Sequence, residues 1–405
     1  MAHIPERYTF PPLSHVLTSS PTTPHSELRT PHFPLSCYVH VPFCVHRCGY
    51  CNFTLVARRE DLIPRYLDAV ERELATHGEP SAVETLFFGG GTPTHLPPAA
   101  LERLCQSALR QFPLLPGYEW SVEANPADLD TERIAVLREQ GVTRVSLGVQ
   151  SFSAEKLSLL ERDHRADDIR RAVDLLRPWV KSLAIDLIFG APGETLADWE
   201  SDLRQALTLE PDHVSTYGLT FERGTTFWGR KLRGELRVAE ESDERAMYET
   251  AIDTLTAAGF EHYEVSNFAR PGHRCRHNEC YWDGREYFAI GPGAARYVAG
   301  RREINHRSTT TYIERVLGGR SPVADGETLS PVDRAREAFV FGMRRLRGVH
   351  LPEFAERYGV DPRRLFAAQL AKYVQLGMFV QQGDWVRLTR PGLLVSDAIW
   401  PDFLA

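Results

Sequence analysis

At 405 residues, 42% hydrophobic and 25% charged, the chain is too long for one small domain and has the balance of a soluble globular protein. A net charge of −7 gives no electrostatic case for nucleic acid as a main partner, and no apolar run approaches the roughly 18 residues of a membrane span. Seven cysteines, an odd number with three crowded into one loop, do not read as a disulfide framework and suit a metal site in a reducing cytoplasm.

Residues 1–33, rich in Pro, Ser, Thr and His, predict a flexible N-terminal arm, and no basic segment followed by an apolar core marks a secretory signal there. A β-type run at 37–41 follows and leads into Cys44, Cys48 and Cys51, spaced C-x3-C-x2-C. Three thiolates on one short loop can hold three irons of a cubane cluster and leave the fourth open to a small molecule. The alternatives are a zinc knuckle or three unrelated buried thiols, although zinc would want a fourth Cys or His at a matching spacing.

Residues 62–76 carry Leu62, Ile63, Tyr66, Leu67, Val70 and Leu74 at helical periodicity. Further β-type runs lie at 83–88, 119–123, 144–149, 182–188 and 213–219, with helical stretches between them. Thr195-x-x-Asp198 is a capping box that opens a helix with Leu196, Trp199, Leu203 and Leu207 on one face. Six strand–helix alternations predict a parallel sheet with helices outside, either an incomplete barrel or a flat doubly wound sheet. The polar and glycine motifs fall where strands end, the edge at which sites of parallel α/β folds assemble.

A long helix at 240–258 breaks the pattern. Then come Tyr263–Phe268, the segment His277-Asn-Glu-Cys-Tyr-Trp282, read as an aromatic-rich strand entry with a core histidine, and a glycine-rich run at 290–295. From about Pro331 the order is helix, helix, helix, then a small β unit at 379–388, which is winged-helix-like.

The cysteine spacing after an apolar strand resembles the radical S-adenosylmethionine (SAM) enzymes. Tyr-x-His-x-Pro-Phe-Cys before the first cysteine and Cys-x-Tyr-Cys at the last look like the oxygen-independent coproporphyrinogen III oxidase family. His277-Asn-x-x-Tyr-Trp282 resembles the mark of its haem chaperone (HemW-type) branch. The resemblance implies an α/β fold, a partial (β/α)6 TIM-like radical SAM barrel with a C-terminal winged-helix-like domain. The expected divisions are a core at 34–225, a barrel extension at 226–325 and the C-terminal domain at 326–405.

It implies a [4Fe–4S] cluster on Cys44, Cys48 and Cys51 and SAM chelating the open iron. Gly89, Gly90, Gly91 and Thr92 would line the SAM methionine end, where glycine lets backbone approach a ligand. Glu123 and Gln150 would meet the amine and ribose, and Arg162 the SAM carboxylate, which a guanidinium forks onto. A solvated strand-end Glu123 and an exposed helix Arg162 are the plain alternatives. Asp186, inside an apolar run, needs a partner and so suits a site; Tyr38 matches a position near cluster and SAM. His277 is linked to haem, with Cys280 a second possible iron ligand. Partners implied are haem or porphyrin, an acceptor haemoprotein and a reductant such as flavodoxin or ferredoxin. The oxidases carry a further cysteine two places after the third; here stands Phe53, which favours the chaperone branch over coproporphyrinogen decarboxylation. A radical methyltransferase on another substrate is a third reading.

Overall fold

Alternate residues of the apolar runs meet two different surfaces, and this is why the runs become strands. Strand β1 (Ser36–Val41) sends Cys37, Val39 and Val41 into the main core and turns Tyr38 to a separate cluster with Phe87 and Cys275. In the computed structural model, which describes residues 35–405, the next strands continue the alternation. The expectation for an arm at 1–33 lies outside the described residues.

β2 (Val83–Gly90), β3 (Leu114–Ala124), β4 (Arg144–Gln150), β5 (Ser182–Phe189) and β6 (His213–Gly218) follow β1 in parallel. Beyond β6 lie β7 (Glu261–Glu264) and β8 (Asn267–Ala269), both antiparallel to their neighbours. On the other side of β1 sits β9 (Phe288–Ile290), parallel to it. The order is β9-β1-β2-β3-β4-β5-β6-β8-β7. This is the partial barrel expected, with three strands that the alternation did not predict.

Helices α1 (Ile63–Leu74), α2 (Pro98–Gln111), α3 (Thr131–Gln140), α4 (Ala166–Leu176), α5 (Leu196–Thr208) and α6 (Glu241–Ala257) carry apolar residues into the same core. The capping box of α5 forms: Asp198 N donates to Thr195 Oγ1 (3.2 Å) and Thr195 N to the Asp198 carboxylate (3.0 Å). Trp199 and Leu203 are buried as expected, but Leu196, in the first turn, is 40% exposed.

The His277–Trp282 segment is a helix, α7 (Arg276–Trp282), and not a strand entry. Its first N–H groups, those of Arg276 and His277, donate to the Glu119 carboxylate on β3 at 3.1 Å each. The cap comes from a distant strand, so the local sequence shows an aromatic run without a helix start.

A three-stranded sheet of β10 (Ala295–Val298), β11 (Arg301–Asn305) and β12 (Val323–Thr328) follows, with α8 (Thr309–Leu317) between the last two. The C-terminal unit runs α9 (Pro331–Arg344), β13 (Val349–His350), α10 (Leu351–Tyr358), α11 (Ala367–Gln375), β14 (Phe379–Gln382) and β15 (Trp385–Leu388), with sheet order β13-β15-β14. It is the winged-helix-like order expected. Phe339 of α9 anchors it, with Phe366 at 4.6 Å and Phe403 at 5.4 Å between ring centroids. Burying a ring of this size is worth about 1.5–3 kcal/mol.

Candidate functional site at the barrel mouth

The cysteine loop leaves the C-terminal end of β1 and is stapled at its base, where Phe43 and Cys44 pair with Val56 and Ala57. Arg47 braces it from inside, donating to the Cys51 (3.2 Å), Phe53 (3.1 Å) and Leu55 (2.8 Å) carbonyls. A short loop needs such partners to hold three thiols in one place.

The glycine turn after β2 is laced to this loop. Gly91 N donates to Val41 O (2.7 Å), Thr92 N to Phe43 O (2.8 Å), and the Thr92 hydroxyl lies 3.4 Å from the Cys44 sulfur. A Cβ on Gly90, whose φ is +112°, would stand 2.4 Å from the His40 ring; one on Gly89 would stand 2.8 Å from Glu123 Oε2. Only glycine fits so close an approach. Gly90 N donates to that Glu123 oxygen at 2.9 Å, and loss of solvation pushes the Glu123 carboxyl up. Glu123 is therefore not a solvated strand-end group.

Arg162 follows a short helix (Ala154–Leu159), and its side chain turns inward. It donates to Gly148 O (2.9 Å) and Asn125 Oδ1 (3.3 Å), and its Nη1 lies 3.7 Å from the Cys48 sulfur. Its Nε is buried with no partner among the described residues. Burial works against its charge, but Tyr50, Cys48 and Asp163 outweigh that and raise its pKa. Gln150, at the end of β4, has φ +65°, a left-handed conformation rare for a residue with a side chain.

The three thiols feel different fields. Burial pushes Cys44 up to about 12 and Cys51 to about 11. Cys48 is lowered, because the His46 ring at 3.8 Å and Arg162 overcome its burial. No disulfide joins any of the seven cysteines. Among the described residues no three Cys, His, Asp or Glu side chains converge closely enough to hold one metal ion. A single-zinc knuckle does not fit. Three soft sulfur donors on one braced loop, a fixed cation beside Cys48 and a glycine turn without Cβ atoms fit a wider sulfur-ligated cluster with a ligand alongside.

Asp186 accepts from the Ser146 hydroxyl at 3.1 Å to both its oxygens, which gives this half-buried carboxylate the partner it needs. Tyr38 lies on β1, its hydroxyl 3.0 Å from His40 Nδ1. His40 Nε2 in turn meets Thr54 O at 2.6 Å, and burial lowers its pKa to about 4. In the sequence His40 is a histidine inside an apolar strand, which reads as packing; the structure places it against the glycine turn.

His277 lies on α7 and not on the cysteine loop. Its ring stacks on Phe87 (5.0 Å) and stands 6.5 Å from Tyr38, with Nδ1 2.9 Å from Thr85 Oγ1 and Nε2 2.8 Å from the Tyr281 hydroxyl. Both nitrogens are engaged, and burial lowers its pKa to about 3. Cys280 is buried, 3.9 Å from Glu286 O. Beside α7 opens a cavity of about 280 Å³, reached by Phe53 and Thr54 of the cysteine loop and by Phe341 of α9. No sequence pattern announces it, since its walls come from six separate stretches of the chain.

Residues 38–206 match the model of the Radical SAM superfamily, and residues 329–395 that of the HemN C-terminal domain. The chain is 34% identical over 375 residues to the heme chaperone HemW of Bacillus subtilis (strain 168), covering 91% of this chain and 99% of that protein. It is 32% identical over 379 residues to the heme chaperone HemW of Escherichia coli (strain K12), covering 92% and 98%. The solved structure of the Escherichia coli coproporphyrinogen III oxidase HemN superposes with a TM-score of 0.82 at 23% identity, covering 93% of this chain and 91% of that one.

Proposed function

Since the chain belongs to the HemW haem chaperone family of radical SAM proteins, we propose that it binds haem and delivers it to acceptor haemoproteins in the cytoplasm. We assign Cys44, Cys48 and Cys51 to a [4Fe–4S] cluster and the glycine turn, Glu123, Gln150, Arg162, Asp186 and Tyr38 to SAM. Bound together, cluster and SAM supply one-electron chemistry at the sulfonium, fed by a reductant of the flavodoxin or ferredoxin type. The chain's part is placement. Gly89–Gly91 offer bare backbone, Arg162 a permanent charge for a carboxylate, and the Gly90–Glu123 pair a fixed acceptor. His277 holds Tyr281 toward the cavity beside α7, which makes α7 the haem-facing segment.

The observation that carries this reading is Thr92. Its backbone holds the glycine turn against the cysteine loop while its hydroxyl touches Cys44. Anaerobic reconstitution followed by iron count, haem titration and transfer to an apo-haemoprotein tests it. Near four irons per chain and a Soret band that moves to the acceptor are expected. Conversion of coproporphyrinogen III to protoporphyrinogen, with no haem bound, would replace the chaperone reading by the oxidase one.

A further inference from the structure

The cavity beside α7 lies between that helix, the β10–β12 sheet and α9. Its walls are rich in rings, among them Tyr281 and Trp282 of α7, Tyr297 of β10, Phe341 of α9 and Tyr358 of α10. Trp282 and Phe341 stand 6.2 Å apart between centroids, and Tyr281 meets Tyr287 edge-on at 4.7 Å. Such a lining takes a flat conjugated ligand.

Two donors in this lining have nothing to donate to. Trp282 Nε1 and the Tyr297 hydroxyl are buried without a hydrogen-bond partner, on residues 2% and 8% exposed. A buried donor left unpaired is costly, and native proteins rarely carry two in one cavity unless something else satisfies them. Arg334 also lines the cavity, stacked over the Tyr358 ring at 5.8 Å. Among the described residues it makes no ion pair with a carboxylate, whereas its neighbour Arg302 is paired with both Glu327 and Glu337. Tyr297 and Arg334 line the same cavity. A guanidinium without a carboxylate partner and a phenol without a hydrogen-bond partner, both lining one aromatic cavity, offer a seat for a carboxylate on a planar ring system.

We propose that this cavity holds the porphyrin by one edge of the macrocycle, with a propionate anchored on Tyr297 and Arg334 and a second carboxylate oxygen accepting from Trp282 Nε1. The proposal rests on the haem reading above and locates its site. It places the ligand against Phe53 and Tyr38, next to the cysteine loop, and gives the C-terminal unit a direct share in binding through α9 and α10. His277 serves as a positioning residue that fixes Tyr281, not as the iron ligand.

The test compares haem with its propionate dimethyl ester, both in the same detergent, on the full reconstituted chain. Binding is read from the Soret band and from quenching of tryptophan fluorescence. Wild type should favour haem over the ester. Tyr297→Phe and Arg334→Gln should each weaken haem binding roughly tenfold and leave the weak ester binding unchanged, because only the carboxylate anchor is lost. Trp282→Phe, which keeps a ring but removes the donor, should weaken haem binding in the same direction. Circular dichroism confirms that each variant folds. Haem binding that is equal for wild type and all three variants, or equal for haem and ester, overturns the cavity assignment while the haem reading stands. Wild type that binds no haem overturns both.

Discussion

The Arg162 guanidinium stands 3.7 Å from the Cys48 sulfur, and the His46 ring lies 3.8 Å away from the same atom. Cys48 is the one thiol of the three in contact with both groups, although Arg162 also favours the thiolates of Cys44 and Cys51 without a hydrogen bond to either. In the metal-free chain Cys48 should be alkylated by iodoacetamide at a lower pH than Cys44 or Cys51. Peptide mapping across a pH series reads this directly. Arg162→Gln should move the Cys48 midpoint upward; three coincident midpoints would refute the assignment of the field to Arg162.

Gly90 packs against His40 so closely that a Cβ would sit 2.4 Å from the ring, at a φ of +112°. Gly90→Ala should lower stability by about 2–3 kcal/mol, from strain and from displacing the glycine turn. Urea unfolding measures the loss. SAM binding should fall as well, because Thr92 and the Gly90 N–H move with the turn. An alanine variant of unchanged stability would mean that His40 swings aside.

Lys156 is buried with Glu194 and Asp202, bonding both, with Asp202 at 3.1 Å. Asp202 also accepts from the Ser151 hydroxyl (2.7 Å) and Phe152 N (2.8 Å), which pins the chain just after the left-handed Gln150. Lys156→Met would leave two carboxylates facing each other in the interior, at an expected loss of about 3–5 kcal/mol. Asp202→Asn keeps the acceptor and should do less damage. The comparison of the two unfolding curves decides, and the reverse order would count against the triad.

Among the described residues six histidines are depressed by burial: His40, His77, His164 and His262 to about 4, His277 to about 3, and His213 well below its ordinary value. All are neutral in the folded chain, while the unfolded chain takes up protons near 6.5. Their contribution is intact above that pH and is lost as pH falls toward 4, at a limit of about 1.4 kcal/mol per unit for each. His46, raised to about 9, and His95, also raised, act in the opposite sense and offset part of the loss. Unfolding free energy should drop by several kcal/mol between pH 7.5 and 5.5, and a flat profile would contradict the count.

The mouth of the barrel was legible because its parts are local. Cys44, Cys48 and Cys51 share one loop, and the glycines carry their own reason at each position. Glu123 was found at a strand end, Asp186 inside an apolar run and Arg162 by resemblance, yet their partners (Gly90, Gly148, Ser146) lie on other strands. Helix α7 was misread because its cap, Glu119, lies far back in the chain. The cavity was invisible for the same reason: Trp282 stood in a noted motif, but Tyr297 and Arg334 lie in two other segments, and the three acquire a joint meaning only when the fold brings them together.

Strand β1 carries the cysteine loop yet is not an edge strand, since Cys37 pairs with Leu86 on one side and with Phe288 on the other. One flank is available early in synthesis; the other arrives only when the last third of the polypeptide has left the ribosome. Until then the strand behind the thiols has an open ladder on one side, and its loop lacks the Arg307 hydrogen bond to Asn52 O at 2.7 Å. A truncated nascent product would present the same three sulfurs without the second flank of β1 that frames them.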